Sequence, residues 1–346
     1  MAIQWFPGHM HTTRLAMVER FKSGIDVVIE MLDARLPASS ANPLLATLTA
    51  GRPALKLLNK QDLADPVRTE AWLAHYNGLP DTRAIGLDAS EAAPAARLLQ
   101  ACRALAPLRG GMVKPLRVLI CGVPNVGKST LINTLVKRKA TKTGDEAGIT
   151  KTEQPIALAS DVTLYDTPGL LWPRITVPET GLLLAASGAV GRNAYDEQEV
   201  ALALLERLQA GYPAALALRY RLGNAANLAN LASAAGAAGA AGAAGATGAA
   251  DSAALAAEPS DHVLERIARQ RGYIGSGAVL NLQKAAEAVL NDFRSGAIGR
   301  VTLETPEDHA AWVAASLMRE AERAAKKAAR EPNTKKKARK AGPATS

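Results

Sequence analysis

The segment Gly122-Val-Pro-Asn-Val-Gly-Lys-Ser129 is a complete GxxxxGKS motif. The apolar run 116–121, which has the length of a strand, precedes it, and the helical pattern 128–136 follows it. The motif requires this context, because its glycines allow backbone N–H groups to approach phosphate oxygens at a helix N-terminus. The segment therefore predicts a phosphate-binding loop in an α/β domain, with a glycine-rich turn that binds nothing as the alternative.

The residue types of this loop suit a nucleoside triphosphate. Lys128 would neutralise the β and γ phosphates and is therefore a predicted catalytic residue, and Ser129 would offer its hydroxyl to Mg²⁺. The other nucleotide contacts predicted here are Asn125, Val126, Gly127 and Thr130.

A second motif, Asp166-Thr-Pro-Gly169, directly follows the strand-like run 162–165. A carboxylate at the end of a strand can reach the metal, so Asp166 is a predicted Mg²⁺ ligand, and the N–H of Gly169 can meet the γ-phosphate. This is the expected position of a switch segment.

The loop between these motifs contains Gly148-Ile-Thr-Lys-Thr152. A first switch needs a hydroxyl for Mg²⁺, and Thr150 is the predicted ligand, with Thr152 as the alternative. A loop that is merely rich in threonine is the other interpretation.

The base-reading motif lies upstream, where Asn59-Lys-Gln-Asp62 follows the apolar run 54–58. Asp62 can accept both the ring N–H and the exocyclic amine of guanine, a pattern that adenine does not present. Asn59 and Lys60 would support the base. The motif predicts GTP as the substrate and makes a phosphate-loop ATPase or kinase the less favoured alternative.

The order of these motifs is circularly permuted. Leu87-Asp-Ala-Ser90, whose Asp88 and Ala89 would contact the guanine oxygen, also precedes the phosphate loop, whereas in an ordinary GTPase both base-reading elements follow it. The loops would still meet, because the loops at one edge of an α/β sheet are brought together in space. Residues 1–175 are therefore predicted to form an α/β, Rossmann-like, circularly permuted P-loop GTPase domain.

The strand signals stop after about residue 176. Amphipathic helical patterns lie at 196–209, 261–270 and 283–294. They predict a smaller all-helical C-terminal domain over 176–312, suited to docking on RNA or a ribosome. A low-complexity Ala/Gly insert at 232–250 interrupts it. The uncharged stretch 222–250 lacks the large apolar residues of a membrane span, so no membrane partner is expected.

The charge and the cysteine content of the chain indicate its kind of binding partner and its cellular compartment. The chain has 346 residues and a formal net charge of +9, and residues 319–346 contain ten Lys or Arg and three Glu, a net charge of +7. A basic tail, predicted to be disordered over 313–346, suggests a polyanion partner, with a merely solvated end as the alternative. Two cysteines without CxxC spacing and an N-terminus without signal-peptide features predict a cytoplasmic protein.

Taken together, the motifs resemble those of the circularly permuted ribosome biogenesis GTPases of the YlqF/RbgA kind. The matching segments are Ile3–Met10, Asp33–Arg35, Leu58–Lys60, Gly122–Ser129, Lys142–Asp145, Asp166–Gly169 and Leu171–Pro173, with a looser match at Arg271–Tyr273. The resemblance covers about residues 1–305. It implies a cytoplasmic GTPase that binds a late precursor of the large ribosomal subunit, with rRNA and ribosomal proteins as partners and no DNA, and that is stimulated by the ribosome and by K⁺.

The resemblance also assigns individual residues. Leu170 stands where many GTPases carry the glutamine that orients water, and His9 is the implied substitute; by chemistry alone His9 could position a water or pack beside Trp5 and Phe6. Asn125 is the implied K⁺ ligand, although without the resemblance it would be interpreted as a turn residue. The alternative function is an RNA-binding assembly factor that keeps GTP as a structural ligand without significant turnover.

Overall fold

The computed structural model of the chain describes residues 24–49, 51–88, 94–111, 114–136, 154–167, 169, 171–172, 175–223, 228–233 and 249–330. The chain divides into two compact units, Met1–Pro306 and Glu307–Ser346. The first unit contains every predicted nucleotide-binding element that the structure describes.

A six-stranded sheet lies at the centre of the first unit. Its strands are β1 (Val27–Asp33), β2 (Ala54–Asn59), β3 (Thr82–Gly86), β4 (Leu116–Gly122), β5 (Gln154–Ala159) and β6 (Val162–Asp166). Their order in the sheet is β3-β2-β1-β4-β6-β5, and all neighbours are parallel except β5 and β6. The carboxyl ends of β1, β2, β4 and β6 therefore meet at one edge, where ligands bind in open α/β sheets.

The strands predicted from the apolar runs 54–58, 116–121 and 162–165 are present as β2, β4 and β6, each parallel to its neighbours apart from the β5–β6 pair. Nearly all positions of β1 and β4 are buried on both faces of the sheet, which explains their almost continuous apolar sequences, whereas alternate positions of β6 are only partly buried. The edge strand β5 was not predicted. It is antiparallel to β6, it has a register shift between Ala157 and Ala159, and most of its described side chains are at least partly exposed, so its sequence lacks that continuous pattern.

Helices connect the strands and make up the chain beyond β6. They include α1 (Pro43–Leu48), α2 (Pro66–Asn77), α3 (Ala95–Leu105), α4 (Lys128–Leu135), α5 (Pro178–Ser187), α6 (Glu197–Gly211), α7 (Pro213–Tyr220), α8 (Ala249–Ala257), α9 (Ser260–Gln270), α10 (Leu282–Ser295) and α11 (Pro306–Arg330). Side chains of Asp65, Asp196 and Asn281 cap the first turns of α2, α6 and α10 by accepting backbone N–H groups there.

Helices α5 to α10 pack on one another around α6. This helix contacts α5, α9 and α10 and buries Leu204, Leu205 and Leu208, while α10 buries Val289 and Phe293. The predicted helical patterns at 196–209, 261–270 and 283–294 correspond to α6, α9 and α10. In the described part of the chain, no helix combines the length and hydropathy needed to cross a membrane.

Helix α11 differs from the sequence prediction. Disorder was predicted from residue 313, but α11 continues to Arg330, so that prediction is wrong for residues 313–330. The reason is composition: alanine has the highest helix propensity, and Glu322 and Lys326 have the i,i+4 spacing of a stabilising charge pair. Residues 331–346 lie outside the described residues.

Candidate functional site

The phosphate loop joins the end of β4 to the start of α4. Gly127 has φ +103° directly before the first residue of α4, and Asn125 has φ +57°. A Cβ atom on Gly122 would lie 2.7 Å from the backbone oxygen of Met31 on β1, so this position excludes any side chain. Ser129 and Thr130 are the second and third residues of α4, at the helix N-terminus where a phosphate would be bound.

Lys128 and Asp166 form the electrostatic centre of the site. Both side chains are buried, and burial lowers the pKa of Lys128 while the charge of Asp166 opposes that change. Burial also raises the pKa of Asp166 to about 6, against the influence of Lys128 and of the Thr167 N–H. The Oδ1 atom of Asp166 has no hydrogen-bond partner among the residues that the structure describes. A buried carboxylate oxygen without a partner, at the end of β6 and near the phosphate loop, fits a divalent cation such as Mg²⁺.

The turn after β6 lies against the phosphate loop. A Cβ atom on Gly169 would be 2.9 Å from Cα of Pro124, so glycine permits the two backbones to approach closely. Thr167 anchors the start of this turn, because its Oγ1 donates a hydrogen bond of 2.9 Å to the Ile120 oxygen of β4. The structure thus brings the Asp166 motif and the phosphate loop into contact.

The guanine motif is hydrogen-bonded to the phosphate loop although the two are far apart in the sequence. Asn59 Nδ2 donates to the Val126 oxygen at 2.8 Å, and Lys60 Nζ donates to the Asn125 oxygen at 3.2 Å. Asp62 is exposed beside this contact. These bonds place the predicted guanine-reading loop and the predicted phosphate loop together at one edge of the sheet.

The loop that contains Asp88 lies next to the guanine motif. The Leu87 N–H donates to the Leu58 oxygen at 2.8 Å, and the Gln61 N–H donates to the Leu87 oxygen at 3.4 Å. Asp88 is half-buried. Three predicted site residues, His9, Ala89 and Thr150, lie outside the described residues, as does Thr152.

Asp33 and Arg35 extend the site in a way that residue chemistry did not predict. Asp33 is buried at the end of β1, and the charges of Arg35 and Lys60 outweigh the effect of burial and hold the pKa of Asp33 well below its usual range. Its Oδ2 accepts hydrogen bonds from Arg35 at 2.8 Å and from Lys60 at 3.0 Å. A carboxylate that ends a buried strand, two residues before an arginine, was the available signal. From the sequence, this segment indicated only the family resemblance.

A second contact that sequence reasoning missed links the phosphate loop to the helices. Asn125 Nδ2 donates a hydrogen bond of 2.9 Å to the oxygen of Gly188, the residue that ends α5. The predicted K⁺ ligand is therefore held by a helix that follows the G domain in the sequence. No feature of the sequence near Gly188 indicated this bond.

Comparisons with known proteins agree with this geometry. A family profile described as "50S ribosome-binding GTPase" matches residues 117–210, which include the phosphate loop and the Asp166 turn but not the upstream guanine motif. Ribosome biogenesis GTPase A of Bacillus cereus is 35% identical over 317 residues, covering 89% of this chain and 95% of that protein. The Bacillus licheniformis protein of the same name is 36% identical over 315 residues, covering 89% of this chain and all of that protein (100%).

A solved structure has the same fold. GNP-bound YlqF from T. maritima matches with a TM-score of 0.54 and 24% identity, covering 85% of this chain and 98% of that chain. The predicted fold class, an α/β P-loop GTPase with permuted motif order followed by helices, is confirmed. Because curated relatives at this level of identity align along almost their whole length, the chain belongs to the ribosome biogenesis GTPase A family.

Proposed function

We propose that this GTPase binds GTP at the carboxyl edge of its sheet and hydrolyses it while bound to a late precursor of the large ribosomal subunit. The observation that carries the proposal is the pair of hydrogen bonds from Asn59 to Val126 and from Lys60 to Asn125, because they join a guanine-selecting motif to a phosphate loop. The description of the matched profile as a 50S ribosome-binding GTPase supports the large subunit as partner. The rRNA and ribosomal proteins of that subunit would be the contacting molecules, in the cytoplasm.

Residues around the phosphates would act mainly by electrostatic stabilisation. Lys128 is buried, so its ammonium group would face the β and γ phosphates in a site of low dielectric, where charge interactions are strong. Ser129, Thr150 and Asp166 would hold Mg²⁺, which neutralises phosphate charge when bound. The N–H of Gly169, whose turn contacts Pro124 of the phosphate loop, would donate to the γ-phosphate.

The attacking water requires a separate group. Leu170 has no polar atom with which to orient it, so we assign this role to His9, and we assign Asn125 to K⁺ coordination. Both assignments rest on the family resemblance. Slow intrinsic turnover is expected, because a site whose water is incompletely positioned lacks part of the catalytic advantage of orientation. Binding to the subunit would complete the site.

We also propose a functional division of the chain. Residues 1–175 would form the G domain, residues 176–312 with the insert at 232–250 the docking domain, and residues 313–346 the basic tail. The packing of α5, α9 and α10 against α6, which buries Leu204, Leu205 and Leu208, supports a helical domain with its own core.

The decisive experiment measures phosphate release from GTP by the full-length protein, with and without purified large subunits, in K⁺ and in Na⁺. We expect strong stimulation by subunits in K⁺ for the wild type, loss of stimulation for His9→Ala, and loss of activity for Lys128→Ala. His75→Ala is the matched control for His9→Ala, because His75 packs against Trp72 and Tyr76 on α2. Tight GTP binding without phosphate release under any condition would instead establish a structural role for GTP.

A further inference from the structure

Arg294, near the end of α10, holds the end of α5. Its Nε donates to the Ala186 oxygen at 2.9 Å, and its Nη2 donates to the Ala185 oxygen at 3.0 Å and to the Tyr195 hydroxyl at 3.0 Å. The last carbonyls of a helix have no partner within the helix, so a guanidinium placed there both satisfies them and interacts favourably with the helix dipole.

Gly188 transmits this support to the phosphate loop. It ends α5 with φ +82°, a conformation that glycine adopts without steric cost, and a Cβ atom there would lie 3.4 Å from Arg294 Nε. Its N–H donates to the Ala185 oxygen at 3.1 Å, and its own oxygen accepts from Asn125 Nδ2 at 2.9 Å. The carbonyl that binds Asn125 thus belongs to the turn that Arg294 supports.

The same end of α10 reaches Asn125 by a second route. Arg35 Nη1 donates to the Phe293 oxygen at 2.6 Å and to the Arg294 oxygen at 3.4 Å, and its guanidinium lies 4.5 Å from the centroid of the Phe293 ring. Arg35 also pairs with Asp33, which pairs with Lys60, and Lys60 donates to the Asn125 oxygen at 3.2 Å. The side chain and the main-chain oxygen of Asn125 are therefore both connected to the last turn of α10.

We propose that Arg294 is a positioning residue of the nucleotide site, which orients the Asn125 amide through the end of α5 and Gly188. The inference rests on the proposed function, since it takes Asn125 as part of the site. The hydrogen bond from Nδ2 to Gly188 fixes the orientation of the amide, and Oδ1 is the atom through which it would bind the cation assigned to this residue. Rearrangement of α10 would then alter GTP binding and its response to K⁺.

The test compares Arg294→Gln with Arg219→Gln in the full-length protein. Arg219 is the matched control because it also binds α10, through bidentate hydrogen bonds of 2.6 and 2.9 Å to Asp292. It lies on α7, and its hydrogen bonds go to Asp292 and not to the end of α5. Fluorescent GDP and a fluorescent non-hydrolysable GTP analogue would be titrated in K⁺ and in Na⁺, and thermal unfolding would be recorded for each variant.

For Arg294→Gln we expect affinity for the GTP analogue in K⁺ to fall by roughly tenfold, within the usual range of coupling between sites, with a smaller change for GDP and a reduced difference between K⁺ and Na⁺. Arg219→Gln should keep wild-type values. Added to Asn125→Ala, Arg294→Gln should cause no further loss, because it acts through Asn125. If Arg294→Gln does not fold, Arg294→Lys, which keeps one charged donor, should show an intermediate loss.

Equal effects of the Arg294 and Arg219 variants on the two nucleotides, or additive losses in the double variant, would overturn the inference. The inference would also be overturned if the wild type binds the analogue and both Arg294→Gln and Arg294→Lys bind both nucleotides with the wild-type affinities. A wild type that fails to bind the analogue at all would instead refute the proposed function.

Discussion

Gly169 is the residue at which the turn after β6 touches the phosphate loop. A Cβ atom there would lie 2.9 Å from Cα and 3.0 Å from N of Pro124, both backbone atoms that cannot rotate away as a side chain could. The turn or the loop would have to move. This contact is therefore sensitive to the addition of a single methyl group.

We predict that Gly169→Ala lowers the rate of GTP hydrolysis by roughly a hundredfold, the cost of misplacing a reacting group by about 1 Å. Gly191→Ala is the control, because a Cβ atom at Gly191 would meet nothing within 4 Å and its φ of −63° suits alanine. Single-turnover hydrolysis at saturating GTP would measure both. Equal rates for the two variants would show that the close approach to Pro124 is not needed for catalysis.

At the scale of elements, the segment 301–304 ties the chain beyond α10 to the loop after β1. Glu304 is fully buried, and its Oε1 accepts from the N–H groups of Ala38 at 2.5 Å and Ser39 at 2.9 Å, while its Oε2 accepts from Ser39 Oγ at 2.5 Å. Trp72 of α2 donates to the Glu304 backbone oxygen at 3.0 Å. One carboxyl group thus satisfies the backbone of a buried loop.

This carboxyl group should make stability depend on pH. Burial raises the pKa of Glu304 from 4.5 to about 7, against the hydrogen bonds from Ser39 and Ala38 and the charge of Arg207. The folded state therefore binds this proton more tightly than the unfolded state. The stability associated with the proton is present below pH 4.5, is lost as the pH rises to about 7, and amounts to at most about 3 kcal/mol.

We predict that Glu304→Gln removes this dependence, because an amide keeps the shape of the carboxyl group but does not titrate. Urea unfolding at pH 5 and pH 8 would give the free energies of unfolding of both proteins. The free energy of unfolding of the variant, relative to that of the wild type, should be about 2 kcal/mol higher at pH 8 than at pH 5. The other titrating groups contribute equally in both proteins, so they cancel in this comparison. A difference that is the same at both pH values would show that Glu304 stays ionised in the folded protein.

At the scale of the whole molecule, the basic charge is concentrated at the C-terminus. Residues 331–346 contain five Lys or Arg and one Glu, beyond the end of α11. Basic side chains that bind phosphates release counterions, which makes the affinity depend on salt concentration. This segment should therefore add affinity for RNA without adding sequence preference.

We predict that deleting residues 331–346 reduces the slope of log K against log salt for rRNA binding by up to about 3.5, at about 0.7 for each phosphate contact with single-stranded RNA. Fluorescence anisotropy over a range of KCl concentrations would measure the slope. A full-length variant with glutamine in place of these five basic residues should match the deletion, since charge and not length is responsible. An unchanged slope in both variants would refute the role of the tail.

Features that residues close together in the chain encode could be predicted from the sequence, whereas contacts between distant residues could not. The phosphate loop, the Asp166 turn and the guanine motif were identified because each is a short run of residues next to a strand. The helical state of 313–330 does not follow from the basic charge, because it depends on the high helix propensity of the alanines in this segment. The contacts from Arg35 to Phe293 and from Ala38 to Glu304 join residues 258 and 266 positions apart, and no local pattern encodes such pairs.

The sequence by itself determined which GTPase motifs the chain carries and their permuted order, because both depend on residue types at short spacing. Only the tertiary structure decided which hydrogen bonds hold those motifs together. Asn59 donates to the Val126 oxygen, Lys60 donates to Asp33 and to the Asn125 oxygen, and Asn125 donates to the Gly188 oxygen. The physical reason is that burial and hydrogen bonding between distant segments arise when helices and sheet pack. The sequence pattern alone therefore does not specify how strongly a buried charge interacts with its surroundings or which donor a carbonyl oxygen accepts from.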